Sequence, residues 1–382
     1  MSEGFALLDP AMGVLRISGD RIAGVETAPR PNDRIIDLGA DRVIPGLINA
    51  HDHLHLNHYP RTRFRERHKN VSEWIEDIDT RRSSDAVLRT CGELPRASQL
   101  LQGGLKNLLS GVTTVAHHDP FYEPLQSADF PVRTVHPYGW SHSLFIDGAE
   151  KVREACLATE ASVPWIIHAG EGVDAAAGQE FETLDELGCL RPNSVLVHGV
   201  AFDPQQLQRM AGAGAALVWC PASNDFLFSA TAAVDALLAT DRLVLGSDSR
   251  LSGSRDLLAE LNLASRLASI DDARAQRMLT RDAARVLRLP DRGELRAGTL
   301  ADFCVLPAGL PLTRATRADI RAVVIGGSFR YGDEDYRDSF MAAAATREVR
   351  VDGRAKWLES ALVAQAMKSG IREVGLEWPR AS

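Results

Sequence analysis

The 382-residue chain has few cysteines and no pattern among them. Cys91, Cys156, Cys189, Cys220 and Cys304 are odd in number, scattered, and form no C-x-x-C. That excludes a disulfide framework and a cysteine-based zinc site, and it fits buried thiols in a reducing compartment. Long hydrophobic runs are also missing. The longest near-apolar stretch, residues 210–222, is interrupted by Gly and Pro and falls short of the ~20 residues a membrane span needs. The opening residues, MSEGFALLDPAMG, show neither a basic n-region nor an apolar h-region, so a cytoplasmic location is expected. A basic surplus is absent too. Lys and Arg number 43 against 51 Asp and Glu, a net charge of −8, which argues against nucleic acid and against a polybasic membrane surface. No histidine occurs before His51 or after His198; all 11 lie between them.

What is present is a globular composition, 45% hydrophobic and 25% charged, long enough to bury a core without a disulfide or metal staple. Residues 14–43 and 293–332 are short apolar bursts broken by turn residues: VLRISG, RIAGVE and RIIDLG, then GELRAGTLADFCVLP and RAVVIGGSFRYG. Both read as strands with tight turns. Between them, strand-like runs at 43–50, 112–117, 132–136, 165–168, 195–198, 215–220 and 243–246 alternate with helical patterns at 98–110, 148–161, 204–213 and 254–267. Such alternation predicts a parallel α/β sheet or barrel. Seven strands are counted, and 131–165 is too short for two full strand–helix units. The segment 337–382 reads as mostly helical.

Four of the strand-like runs end in His or Asp. His51-Asp52-His53 follows VIPGLINA; residues i and i+2 of an extended segment share a side, so both imidazoles can meet one ion. His55 continues the alternation. His168-Ala-Gly-Glu171 follows PWII, His198 ends VLVH, and Asp248 follows VLGS. Each piece alone has a plainer reading: surface histidines in a loop, a helix-capping Glu, a backbone-satisfied His, an N-cap Asp. Together they form an ordered set, and the carboxyl ends of parallel barrel strands converge on one mouth. Imidazoles with a carboxylate suit a borderline divalent ion such as Zn2+ or Fe2+.

With these residues in order, the sequence resembles the amidohydrolase superfamily, in its deaminase-like single-metal branch of adenosine, cytosine and guanine deaminases and chlorotriazine hydrolases. The matching segments are PGLINAHDH (45–53), GVTTV (111–115), HAGE (168–171), VHG (197–199), CPASN (220–224), GSDS (246–249) and GELRAGTLADF (293–303). The resemblance implies a distorted (β/α)8 TIM barrel over 46–293, a small composite β-sandwich from 1–45 and 294–340, and a C-terminal helical tail, 341–382. It implies one divalent metal, Zn2+ or alternatively Fe2+, held by His51, His53, His168 and Asp248, with Glu171, His198 and Asp248 catalytic. Two-metal members use a strand-end Lys. The five lysines here, 69, 106, 151, 356 and 368, end no strand of the pattern, which favours one ion.

The implied reaction is hydrolysis of a non-peptide C–N bond, deamination of an aminated heterocycle or related amidine or guanidine by metal-activated hydroxide. The alternatives are a two-metal amidase or cyclic-amide hydrolase, and a silent relative with a scaffold role. Residues expected to contact the small-molecule substrate are His118, Tyr138, Trp140, His142, Asn224 and Arg250, since aromatic walls suit a flat ring. The resemblance hints at a homo-oligomer. The basic run 61–67 is read as a solvated face in preference to a grip on an acidic substrate. Asp52 stands where Thr or Cys is frequent in the family, Trp219 where His is, and, apart from the expected contact at His118, the run His117-His118-Asp119-Pro120 is left unassigned.

Overall fold

The computed structural model describes residues 4–378. The barrel strands are β1 (Leu47–Asp52), β2 (Val112–His117), β3 (Arg133–Thr134), β4 (Gly139–Ser143), β5 (Trp165–Ala169), β6 (Ser194–His198), β7 (Ala216–Trp219) and β8 (Leu243–Leu245). All pair in parallel, in two hydrogen-bonded arcs, β1-β2-β3 and β4 through β8. The eighth strand missing from the sequence count is β4, Gly-Trp-Ser-His-Ser. It follows β3 with no helix between them, which is how so short a segment holds two strands. It has no apolar run because its buried positions are Ser141 and Ser143, facing polar neighbours.

Strand alternation sorts the core into two layers. Leu47, Val115, Ile167, Leu196 and Leu217 pack outward under the surrounding helices. Ile48, Ala50, Ala116, Ile166, Val195, Val197 and Val244 fill the interior. Both faces are covered, so these strands read as near-continuous apolar runs. Among the flanking helices are α1 (Val71–Arg81), α2 (Ala86–Gly92) and α3 (Arg96–Leu109). Helix α3 is buried over almost its whole length. Gly103 lets it lie directly on the turn after β1, since a Cβ there would sit 2.3 Å from the Leu54 carbonyl oxygen.

One irregularity in β1 decides where its histidines point. Asn49 lies opposite Val115 and Asp52 opposite His117, so β1 spends three residues where β2 spends two. This is a bulge, a device that re-aims side chains. Unbroken alternation from inward Ile48 and Ala50 would turn Asp52 inward and both histidines outward. With the extra residue, Asp52 points outward at α3 instead. There its carboxylate accepts from Lys106 Nζ (3.1 Å), Asn107 Nδ2 (2.9 Å) and Asn57 Nδ2 (2.8 Å). Lys106, fully buried, also donates to Ser247 Oγ and the Asp248 carbonyl. The knot thus ties β1, α3 and the end of β8 together. The seam is closed further by Ser247 N on Asn49 Oδ1 and Asp248 N on the His51 carbonyl.

Outside the barrel, a four-stranded sheet (5–9, 13–18, 21–26, 34–37) faces a seven-stranded one that includes 41–45, 303–307, 322–325 and 328–332. Phe5, Leu7, Leu15, Phe303 and Val305 lie in the core between them. The expected helical tail over 341–382 is corrected here. Strands 346–351, 354–359 and 376–377 extend the seven-stranded sheet, and the segment keeps one substantial helix, 360–369. Asp352 and Gly353 both have positive φ and join two strands, the Asp-Gly hairpin pattern. The outermost residues of the expected boundaries, 1–3 and 379–382, lie outside the described residues.

Removing one partner of a buried ion pair leaves an uncompensated charge and commonly costs about 3–5 kcal/mol. Lys106→Met is expected to lower the unfolding free energy, measured by urea denaturation, by that order. The double variant Lys106→Met/Asp52→Asn should recover part of the loss, because no lone buried charge remains.

Candidate active site

Three backbone devices bring the site together. In β2 and β5 plain alternation suffices: His118 follows inward Ala116 and His168 follows inward Ile166. In β1 the bulge turns His51 and His53 inward. At the end of β6, Val195 and Val197 point inward, so alternation alone would turn His198 away; its φ of 80° breaks the pattern. Asp248, after β8, has φ 50°. Left-handed conformations of non-glycine residues are uncommon and cluster where function demands them.

Ligand atoms of His51, His53, His118 and His168 all lie within 4.8 Å of one another, and all four residues are buried. Outer hydrogen bonds set the tautomers of three of them. His53 Nδ1–H donates to Asp119 Oδ2 (2.6 Å), His168 Nδ1–H to the His142 carbonyl (2.8 Å) and His118 Nε2–H to the Ser141 carbonyl (2.9 Å). The remaining nitrogens therefore present lone pairs to the centre. Neither ring nitrogen of His51 nor Nδ1 of His118 has a hydrogen-bond partner. His53 Nε2 and His168 Nε2 face each other at 3.1 Å, an approach two lone pairs tolerate only with a cation or proton between them. Asp248 Oδ1 lies 3.8 Å from His51 Nε2 and 3.9 Å from His53 Nε2. Buried orphan nitrogens beside a carboxylate are the donor set of a divalent metal ion.

The electrostatics agree. Burial opposes charge on His53, but Asp119 beside it, helped by Asp248 and Asp52, raises its pKa to about 9. Burial first, then the neighbouring imidazoles, pushes His51 and His168 well down. Burial also opposes charge on Asp248, yet His53 and His198 hold its carboxyl below the ordinary value. Glu171 moves the other way. Burial, then Asp248 and Glu180, raise it well above the usual range. It lies 3.5 Å from His198 Nε2. His198 Nδ1–H donates to Asn224 Oδ1 (2.9 Å), and burial lowers its pKa, so the ring is neutral with Nε2 an acceptor. Asn224 Nδ2 points at Thr231 Oγ1, which fixes the amide orientation.

A second trio, His55, His117 and Asp119, lies close by. His117 Nδ1 already accepts the Leu54 N–H (3.2 Å), so its proton sits on Nε2 and it has no lone pair for an ion. Asp119 is occupied by His53.

A cavity of about 420 Å³ opens from the centre, with His53, His168, Glu171, His198 and Asp248 on its inner wall. Its outer wall is α1 and α2, through Trp74, Ile75, Ile78 and Leu88, with Arg82 and Arg96 nearby. The sequence reading missed this wall; its signal was the apolar stripe of Trp74, Ile75 and Ile78 in a charged helix. Of the expected substrate contacts, His142 lines the cavity. The others are corrected. Tyr138 is turned to the Asp119 carbonyl, Trp140 packs edge-on against His118, and Asn224 orients His198. Arg250 is drawn away into a buried ion pair with Glu373 (2.6 and 2.7 Å), which also holds Arg317. His118 belongs to the imidazole cluster. In the basic run, Arg61 caps the Ser252 and Ala222 carbonyls and stacks on Phe226, while Arg65 pairs with Asp77; neither lines the cavity.

Comparison with known proteins places these features. The amidohydrolase family profile matches residues 126–330. A 5-methylthioadenosine/S-adenosylhomocysteine deaminase of Halobacterium salinarum is 26% identical, over 88% of this chain and 90% of its own. Among solved structures, an adenosine deaminase from Xanthomonas campestris with bound zinc superposes with a TM-score of 0.72 at 17% identity, covering 96% of this chain and 97% of that one. Atrazine chlorohydrolase TrzN from Arthrobacter aurescens TC1, complexed with zinc, gives 0.68 at 20% identity, covering 86% and 94%.

In chelator-treated protein, imidazole 15N shifts should show His53 doubly protonated up to a pH of about 9, with His51 and His168 singly protonated throughout. Asp119→Asn removes the main charge favouring the imidazolium, so the His53 midpoint should fall.

Proposed function

This chain belongs to the amidohydrolase family, and from that premise we propose that it is a single-metal deaminase of an aminated purine. The substrates proposed are 5-methylthioadenosine or S-adenosylhomocysteine, for which its curated relatives are named. The observation that carries the reading is the convergence of buried imidazoles beside Asp248, at the floor of a cavity that also holds the buried Glu171, whose pKa burial pushes well up.

In this reading His51, His53, His168 and Asp248 hold the ion, Zn2+ first by donor chemistry. When bound, such an ion acts as a Lewis acid and lowers the pKa of a water at the site from about 15.7 towards about 7. The protein's own groups divide the remaining work. Asp248, whose carboxyl is held low beside His53, takes the proton that water gives up. Neutral His198, fixed by Asn224, accepts a hydrogen bond at Nε2 and so orients the water. Glu171, kept protonated by burial, delivers its proton to a ring nitrogen and then assists ammonia as it leaves. The sum is C–NH2 plus water giving C=O plus ammonia. Trp74, Ile75 and Ile78 suit a thioether arm, and Arg82 and Arg96 suit the amino-acid end of S-adenosylhomocysteine. A single ion is favoured because Lys106 is spent on Asp52 beneath the site and His117 has no lone pair to offer.

Zinc-loaded protein should release ammonia from 5-methylthioadenosine, S-adenosylhomocysteine or adenosine, and chelation should abolish the release. Glu171→Gln should lower kcat by about 10²–10⁴ with metal content unchanged. Normal turnover by that variant, or no ammonia from any aminated purine, would remove the proposal.

A further inference from the structure

The His117-His118-Asp119 run at the end of β2 has no part in the ligand set proposed above, yet each of its side chains is committed. His117 accepts the Leu54 N–H on the outer face, and Asp119 takes the His53 Nδ1–H. His118 lies between them, on the inner face with Ala116, and is completely buried. Its Nε2–H is fixed on the Ser141 carbonyl, so the lone pair is on Nδ1. That atom has no hydrogen-bond donor facing it. His118 belongs to the mutual cluster with His51, His53 and His168, its ring 4.2 Å from His168 and 5.2 Å from His51, centroid to centroid. A buried acceptor left without a partner costs about 1–3 kcal/mol. The neighbouring His51 is unpartnered at both ring nitrogens, whereas His198 faces Glu171 and Asp248 accepts from Ser249 N and Ser252 Oγ.

We propose that His118 is a fourth imidazole donor to the ion, through Nδ1. This rests on the single-metal reading of the same site. With His51, His53, His168 and Asp248 it makes a five-donor set, N4O. Five donors fill the coordination to which Zn2+ expands, and a water as well would make six, which suits an ion such as Fe2+ better than Zn2+. The Ser141 carbonyl, presented by the polar strand β4, is the element that fixes the tautomer.

The test counts imidazoles. X-ray absorption on zinc-loaded wild type should fit four imidazoles per ion, and this measurement is independent of how any variant folds. His118→Ala should show three, and chelator competition should find its affinity lower by at least about 10-fold, the scale on which even outer partners of metal ligands act. His118→Gln, with circular dichroism matching wild type, guards against misfolding and should lose affinity likewise. Three imidazoles in wild type, with unchanged affinity in both variants, would overturn the role of His118 and leave the metal centre standing. Failure of wild type itself to retain an ion would overturn both.

Discussion

Everything at the mouth of this barrel depends on the ion pair buried beneath it. Lys106 and Asp52 are fully buried, so their neighbours must compensate them: Asn49, Asn57, Asn107, Ser247 and the Asp248 carbonyl complete the set. A charge pair so placed gains little net stability over an apolar one. What it supplies is position. Asp52 reaches Lys106 only if β1 carries its extra residue, and that residue is what faces His51 and His53 inward. The same ammonium grips the backbone of Asp248. Two strands that share no ladder hydrogen bonds are thereby held in a fixed relation, with their functional side chains at the junction.

Above the knot, charge is separated over a few ångströms. The imidazole cluster sits among Asp119, Asp248 and Asp52, which favour a cation at its centre. Glu171 lies on the side where burial and other carboxylates disfavour an anion. In the proposed reading the first region takes the ion and the second the transferable proton, and His198 stands beside Glu171. The fold obtains these opposite environments from the same strand ends.

The sequence disclosed what rests on short-range pattern. His51, His53, His168, His198 and Asp248 each close an apolar run, and such runs deliver side chains to one end of a parallel sheet. It hid what rests on tertiary context. β4 was missed because its buried face is serine, which reads as loop until its polar partners are known. The 346–359 hairpin was missed although Asp352-Gly353 announces it, because the alternation of Val349, Val351, Lys356 and Leu358 was overridden by helical composition nearby. Tyr138 and Arg250 were expected in the cavity on residue type alone. Their partners, the Asp119 carbonyl and Glu373, are distant in sequence. His118 was placed among substrate contacts because the spacing of β2 to β1 and β5 cannot be read from one strand.

The cavity's two walls come from different kinds of element. Its inner wall is strand ends locked by the barrel; its outer wall is α1 and α2, inserted between β1 and β2 and anchored largely by their own apolar stripe. Substitutions on those helices can therefore retune which molecule is admitted while leaving the reactive floor untouched.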